Sequence, residues 1–516
     1  MIVLIGFMGA GKSTVGRAVA QKLGVGFVDA DEVIVARAGI PVVEIFETRG
    51  EQMFRTLERE VIGEILSDDD GVAALGGGAL GSEEVRAQLG AHTVVHLDVS
   101  FEEAMRRIGE TDRPMLRAVD PVALYRERAA SYAAAASFVV QVDGRTPEVI
   151  AEEVVAKARS GHRRVHVATP GGSYDVLVGR EVLSEVGSAL DPAPRRVTVL
   201  HQPSVEPYAK EVADALGEAG SAASLLAAPD GEAAKGPGVA ERLWANLADA
   251  ETNRDDALVT VGGGAVSDAG GFVASTFMRG LRVVHVPTTL LGQVDAAIGG
   301  KTALNLPQAK NLIGTIHQPS AVLCDVRTLA TLPVDELRSG CAEVLKYGFI
   351  ADPDLARVVT SEVDEVLAAD PAILIDVVER CVAIKADVVG EDERDAGRRK
   401  ILNYGHTFGH AFEQRSDFSL RHGHAVALGM VAAAFTAQGL GWLTDDEVAM
   451  HREALEAVGL PTGASYELGE LQDAWKRDKK TRATPRFVLL RALGRPEIDV
   501  EVPDEVLRTA LARLAA

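Results

Sequence analysis

The chain alternates strand and helix signals twice, and the break between the two runs limits what it can fold into. In the first run Ile2–Ile5 is continuously apolar, as a strand buried on both faces should be. Further strands are expected near 26–28, 72–75, 93–97 and 138–140, with helical stretches such as Lys12–Leu23, 51–66 and Pro121–Ala135 between them. This alternation means a parallel sheet with helices on both faces. The join is KARSGHRRVHVATPGG, where a helix ends around Ala158 and strand signals restart at Val165. Strand and helix alternate again to about 325. From about Leu329 strand signals largely vanish and Ala, Leu and Val recur at helical spacing. A chain of 516 residues exceeds what one core serves. An α/β fold with a final all-helical part is expected, divided as 1–160, 165–325 and 326–516.

Bulk chemistry excludes several classes. The net charge is -22, with both sides of the join acidic, so no basic face recommends nucleic acid or an anionic membrane. Cys324, Cys341 and Cys381 lie far apart without CxxC spacing, which disfavours a disulfide scaffold or cysteine zinc knuckle and suits a reducing cytoplasm. The apolar start MIVLIGF lacks a basic leader and runs directly into a glycine-rich loop, so it reads as a first strand. No stretch is long and apolar enough to cross a membrane.

The glycine-rich loop is GFMGAGKST, residues 6–14, matching G-x-x-x-x-G-K-S between an expected strand and helix. Its glycines, Gly9 and Gly11 among them, let backbone N–H groups turn toward phosphates at a helix N-terminus. Lys12 would reach the β- and γ-phosphates of ATP, and Ser13, followed by Thr14, would ligate Mg²⁺. VDADE places Asp29 and Asp31 at a strand end. GEQMFRTLERE places Arg55 and Glu58 one turn apart, and GGGAL supplies a strand-ending turn with Gly77 and Gly78. TDRPML holds Arg113 and ERAASY holds Arg128.

In this order these motifs resemble shikimate kinase, over essentially all of residues 1–160. The resemblance implies a P-loop kinase fold in which Asp31, Arg55 and Arg128 hold shikimate, with Gly77 and Gly78 supplying backbone contacts. It also implies that Asp29 supports Mg²⁺ and Arg113 closes over the ATP phosphates. Positioning and charge neutralisation carry such catalysis. The nearest different reading, a gluconate- or nucleoside-type kinase, should lack the Arg55, GGG and Arg128 combination.

The second run carries other chemistry. GGGAVSD follows the apolar stretch 257–261 and should open a helix, a glycine turn suited to dinucleotide approach although it is not GxGxxG. DGEAAKG adds Glu232 and Lys235, and VPTTLLGQVDAAIGGKT adds Thr288, Thr289, Asp295 and Lys301. Four of the twelve histidines, His406, His410, His422 and His424, fall within nineteen residues, the first pair at i,i+4 on one helix face. Glu343 in GCAEVLKYG is flanked by apolar residues and needs a buried partner. Two histidines and a carboxylate make a usual catalytic metal set.

This region, from Val165 to the C-terminus, resembles 3-dehydroquinate synthase. The resemblance implies a Rossmann-like NAD-binding α/β domain followed by a helical metal- and substrate-binding domain. Glu343, His406 and His422 become ligands of Zn²⁺ or another divalent metal such as Co²⁺, and His410 a substrate-binding residue. Asp295, Lys346, Lys385, Arg399 and Asn403 would hold hydroxyls and carboxylate. Lys301, Asn311 and Lys479 or Lys480 would bind phosphate, with Arg279 reaching across a homodimer interface. Glu232, Lys235, Gly264, Asp268, Thr288, Thr289 and Lys310 would line NAD. The implied reaction converts 3-deoxy-D-arabino-heptulosonate 7-phosphate to 3-dehydroquinate by transient oxidation, phosphate loss, re-reduction and ring closure.

Three positions depart from that family: His424 and Asp395 stand where Glu is usual, and the HQPS segment lacks the usual Asn or Asp. The expectation is a bifunctional enzyme of aromatic biosynthesis, whose two steps are separated by two other reactions. The alternatives are another sugar-phosphate cyclase, a metal-dependent alcohol dehydrogenase, or one silent regulatory half. The ligand set Lys301, Lys346, Lys385 and Asn403 argues against a plain dehydrogenase.

Overall fold

The computed structural model describes residues 1–68, 70–90, 92–109, 120–416, 419–477 and 485–516. Contacts divide the chain into two compact units, Met1–Arg164 and Val165–Ala516. Among the described residues no helix is long and apolar enough to cross a membrane.

The first unit is built on a five-stranded sheet of β1 (Ile2–Ile5), β2 (Phe27–Asp29), β3 (Val72–Ala74), β4 (Thr93–Asp98) and β5 (Phe138–Gln141). The strand order is β2-β3-β1-β4-β5, and every pairing is parallel. The apolar run of β1 is central and almost fully buried, as its composition requires. The helix expected from Glu51 is the second half of a longer one, Val42–Leu66, kinked at Gly50 where φ is 80°. Gly50 is free to take that angle, so one apolar face is delivered in two directions.

The second unit begins with a seven-stranded sheet. Its members are β6 (Arg163–Thr169), β7 (Gly172–Gly179), β8 (Arg196–His201), β9 (Ala222–Ala227), β10 (Ala257–Gly262), β11 (Arg282–Pro287) and β14 (Ala321–Asp325). The order is β6-β7-β14-β11-β10-β8-β9, with parallel pairing from β7 through β9. The hairpin β12 (Lys301–Leu306) and β13 (Ala309–Ile316) is a separate antiparallel pair. After β14 the chain is helical, as its Ala- and Leu-rich spacing predicts, with one addition. Residues Phe487–Ala492 and Arg495–Val500 form the antiparallel hairpin β15–β16, folded against the helices through the buried Phe487 to Leu490 run. Val, Leu and Phe at that spacing serve a buried strand as well as a buried helix, and the chain reversal at Gly494 (φ 75°) selects the strand.

Small residues let the helices of this lobe close up. Helix His406–Arg415 crosses helix His422–Gly439 where a side chain at Gly429 would run into the backbone of Gly405 and Gly409. Helix Val334–Ile350 meets the same helix at Gly423, whose N–H donates to Ser339 Oγ at 3.1 Å. Gly429→Ala should therefore force this crossing apart and cost about 1–3 kcal/mol, read as a lower denaturation midpoint of the second unit with the first unit's transition unmoved.

Candidate active sites

In the first unit the strand β1 ends in a loop where Gly6, Gly9 and Gly11 all have positive φ (147°, 84° and 86°). A side chain at Gly6 would press on the Leu97 carbonyl, so the pattern glycine is required by packing as well as by φ. Helix Lys12–Leu23 starts at Gly11 with its first N–H groups directed into the loop. Lys12 Nζ donates to the Gly6 and Phe7 carbonyls at 2.8 and 3.2 Å, folded over the loop it would serve. Ser13 Oγ donates to Asp29 Oδ2 at 2.6 Å. Asp29 Oδ1 accepts from the Asp31 N–H at 3.0 Å, capping helix Ala30–Ala38 and fixing where Asp31 stands.

The expected shikimate residues converge beyond that cap. Side chains at the turn glycines would touch Asp31 and Glu58 from Gly76, Arg128 from Gly77, and Arg55 from Gly78. Arg55 Nη1 donates to Glu58 Oε2 at 2.7 Å. Glu58 is buried, and desolvation raises its pKa against the pull of Arg55. Tyr132, absent from the sequence reading, donates to the Gly77 carbonyl at 2.5 Å and so holds the glycine turn. Arg113 lies outside the described residues.

In the second unit the turn Gly262–Gly263–Gly264 closes β10 and opens helix Gly264–Thr276. Gln202 Oε1 accepts from the Gly263 N–H at 2.9 Å, so HQPS contributes a prop for the turn where an Asn or Asp was missed. A side chain at Gly264 would strike Ala296, and one at Gly263 would meet Thr289 at 3.2 Å; the turn is a cradle only glycine leaves open. Asp268, one turn into the helix, accepts from Lys235 Nζ at 2.6 Å, and burial raises Asp268 to about 6 against that lysine. Glu232 is 4.0 Å from Lys235 and accepts from Asn305. Thr288 is buried beside the turn, its N–H donating to the Gly262 carbonyl. Lys310, on β13, acts electrostatically on Glu413 of the helical lobe.

The lobe gathers a second cluster. Glu343 is fully buried, with Lys346 Nζ 2.5 Å from Oε2 and the Nε2 atoms of His406 and His422 each 3.4 Å from Oε1. Glu343 Oε1 is met by the two imidazoles at a distance long for a hydrogen bond, and Lys346 lies against Oε2. Ligand atoms of Glu343, His406 and His422 all lie within 4.8 Å of one another, so this set fits a divalent metal. His424 lies outside it, half-buried among Arg421, Asp335, Glu336 and Arg338. His410 stands exposed at the rim, its ring 5.4 Å from that of His406.

Beside the seat, Lys385 Nζ donates to Asp295 at 2.6 Å, and Tyr347 OH donates to the same oxygen at 2.9 Å. Burial opposes ionisation of Asp295, yet Lys385 and Lys346 hold it below the usual carboxylate range. Burial brings Lys385 down to about 8 despite Asp295. Arg399 is buried and donates to the Glu393 and Gly299 carbonyls at 2.6 and 3.0 Å, while its Nε has no partner among the described residues. Asn403 is exposed on the turn Arg398–Asn403. Lys301 Nζ donates to Asp395 at 2.6 Å, Asn311 takes φ 54°, and Arg279 is exposed at φ 68°. Lys479 and Lys480 lie outside the described residues.

Family models match both units. "Shikimate kinase" matches residues 8–159, "3-dehydroquinate synthase N-terminal" residues 225–339 and "3-dehydroquinate synthase C-terminal" residues 340–481. A 3-dehydroquinate synthase of Thermobifida fusca is 45% identical over 67% of this chain and 95% of its own length. The chain belongs to the 3-dehydroquinate synthase family, with a shikimate kinase in front. A Saccharopolyspora erythraea 3-dehydroquinate synthase is 47% identical over 65% of the chain and 91% of its own. Among solved structures, the 2-epi-5-epi-valiolone synthase of Streptomyces hygroscopicus subsp. jinggangensis 5008, with NAD⁺ and Zn²⁺ bound, shares 26% identity and a TM-score of 0.61. It covers 66% of this chain and 96% of that one. The chain is thus a bifunctional enzyme of the shikimate pathway, a kinase and a phosphate lyase.

The Glu343–Lys346 pair yields a stability test. Lys346→Met leaves Glu343 buried with only the two imidazoles beside it and should cost about 3–5 kcal/mol in metal-free protein. Saturating Zn²⁺ should restore much of it through binding to the folded state, measured as the rise in melting temperature of the variant against wild type.

Proposed function

We propose that each unit holds its substrate with the residues the sequence singled out. In the kinase, N–H groups of residues 9–14 and Lys12 take the ATP phosphates, while Ser13 and Asp29 hold Mg²⁺ from a pair already in contact. Arg55 and Arg128 pair the shikimate carboxylate, and Gly77 and Gly78 supply backbone contacts. Asp31 orients the 3-hydroxyl and accepts its proton as that oxygen attacks the γ-phosphorus and ADP departs. Arg113 closes over the phosphates.

In the synthase, Glu343, His406 and His422 hold Zn²⁺ or Co²⁺, while Glu232, Lys235, Gly264, Asp268, Thr288, Thr289 and Lys310 hold NAD. When bound, these groups supply Lewis acidity and a reversible hydride acceptor. Asp295, Lys346, Lys385, Arg399, Asn403 and His410 bind the hydroxyls and carboxylate of 3-deoxy-D-arabino-heptulosonate 7-phosphate. Lys301, Asn311 and Lys479 or Lys480 take the phosphate, which accepts the ring proton as it leaves. The observation that carries this reading is the buried Glu343 oxygen facing two imidazoles, with the Asp295–Lys385 pair beside it. A homodimer through the synthase unit is supported by exposed apolar Met278, Leu312 and Ile316 and by the exposed Arg279, next to Met278 in the chain. The acidic charge and three free buried cysteines support a cytoplasmic setting.

Purified protein should form ADP only when shikimate is present, and Lys12→Ala should abolish this; turnover with gluconate instead would overturn the kinase assignment. Phosphate release from the heptulosonate phosphate should require NAD and stop with EDTA, and the NMR spectrum of its product should be that of 3-dehydroquinate. A different cyclitol would sink the synthase assignment.

The lowered Lys385 pKa sets a pH profile. Because protonated Lys385 is lost as pH rises through about 8, kcat/KM of the synthase should fall there. Lys385→Arg, charged throughout, should move the decline upward. An unchanged profile in that variant would remove Lys385 as its cause.

A further inference from the structure

Helix His406–Arg415 carries more than the two histidines the sequence reading used. His406, His410 and Glu413 stand at i, i+4 and i+7, which places all three on one face of the helix. His406 faces the cation seat and His410 lies at the rim. Glu413 is a carboxylate only 8% exposed, on a helix whose own backbone supplies it no counter-charge. A carboxylate that far from water is costly without a specific partner.

Its partner is the other imidazole of the seat. Glu413 Oε1 is 3.4 Å from His422 Nδ1, while His422 Nε2 is 3.4 Å from Glu343 Oε1. His422 is therefore strung between two carboxylates that use different ring nitrogens. His406 shows the same polarity: Nε2 faces Glu343, and Nδ1 lies 3.1 Å from the Tyr404 carbonyl. In both rings Nε2 is the nitrogen turned to the seat. Nδ1 is the nitrogen that must carry the proton when Nε2 gives its lone pair to a cation. The two outer partners are unequal, since one is a neutral carbonyl and the other a carboxylate. His410 and Lys310 add positive charge around Glu413 and favour its ionised form.

We infer that Glu413 is the positioning residue for His422: it accepts the Nδ1 proton, fixes the ring with Nε2 toward Glu343, and raises the affinity of the seat for a divalent metal. This rests on the metal reading proposed above. A carboxylate behind an imidazole ligand makes it more basic and holds its tautomer, and loss of such a partner typically weakens metal binding by about 10–100-fold. Glu413 has no contact with the substrate in this role, so its effect is on the metal before it is on turnover.

The test is a Zn²⁺ competition titration of the full-length metal-free protein against a chromogenic chelator. Wild type is compared with Glu413→Gln, Glu413→Ala and Glu343→Ala. Glu413→Ala should raise the Zn²⁺ Kd by about 10–100-fold, and Glu413→Gln, which keeps shape and an acceptor oxygen but no charge, should fall between it and wild type. In Co²⁺-loaded protein the visible d–d bands should shift in both variants, a change that a packing defect elsewhere would not produce. If Glu413→Ala lowers the metal-free melting temperature, the Glu413→Gln titration and spectrum decide. Kd values within threefold of wild type for both variants, with unshifted bands, overturn the inference while leaving the metal site standing. Unaltered Zn²⁺ binding in Glu343→Ala is a different failure: it removes the metal reading, and this inference with it.

Discussion

A carboxylate with no access to water organises the helical lobe. Isolating an ion from solvent costs several kcal/mol, and the structure must return that through partners at short range. Glu343 obtains them from three directions: Lys346 one turn along its own helix, His406 from a second helix and His422 from a third. Three helices must therefore come closer than ordinary side chains allow. Gly423, Gly409 and Gly429 lie at the crossings, where an added carbon would meet backbone atoms. The electrostatic demand and the small-residue pattern are two sides of one constraint, because neither the charge nor the glycines make sense without the other.

Both units place their sites by the same rule. In a parallel sheet the loops leaving the carboxyl ends of the strands collect on one edge, and central strands deliver the loops that meet ligand. In the first unit β1 ends in the phosphate loop, β2 in Asp29 and β3 in the run to Gly78. In the second, β10 ends in the glycine turn and β11 in Thr288, with the Gly292–Ala296 turn carrying Asp295 next along the chain. The candidate kinase residues lie within one α/β unit, whereas the synthase sheet meets a helical lobe that carries Glu343, His406 and His422 together with Lys346 and Lys385. Lys385 and Tyr347, both on helices of the lobe, donate to Asp295 and tie these two parts together.

Several residues of the proposed sites were legible because each needed a particular side chain at a particular chain position. Asp31, Arg55 and Arg128 are such cases, and the structure brings them together around Gly76–Gly78. The misses share a cause. Tyr132, Tyr347 and Gln202 act by holding a turn or a carboxylate, and nothing in a Tyr or Gln within a helix or loop marks which distant group it will reach. Arg399 reads as a ligand because arginine suits carboxylates, but the two backbone carbonyls that its guanidinium also reaches were not readable from the sequence. Glu413 was within reach of the i, i+4, i+7 pattern of its helix, but the pattern alone does not say what lies opposite.

The chain by itself determined its chemistry and its local geometry: apolar runs set strands, glycines set the turns that can approach phosphate, and spacing set which residues share a helix face. Those are properties of short segments, governed by sterics and periodicity. Tertiary structure decided which faces meet. His422 and His424 are two residues apart, so their helix points them to different sides, and its packing at Gly423 against Ser339 accompanies the first facing Glu343 and the second lying among Arg421 and Asp335. A strand hairpin at 487–500 replaced expected helix for the same reason, since the burial of Phe487 and Leu490 depends on neighbours far away in sequence. The residues available to a site are written locally; which of them share it depends on packing between segments dozens of residues apart.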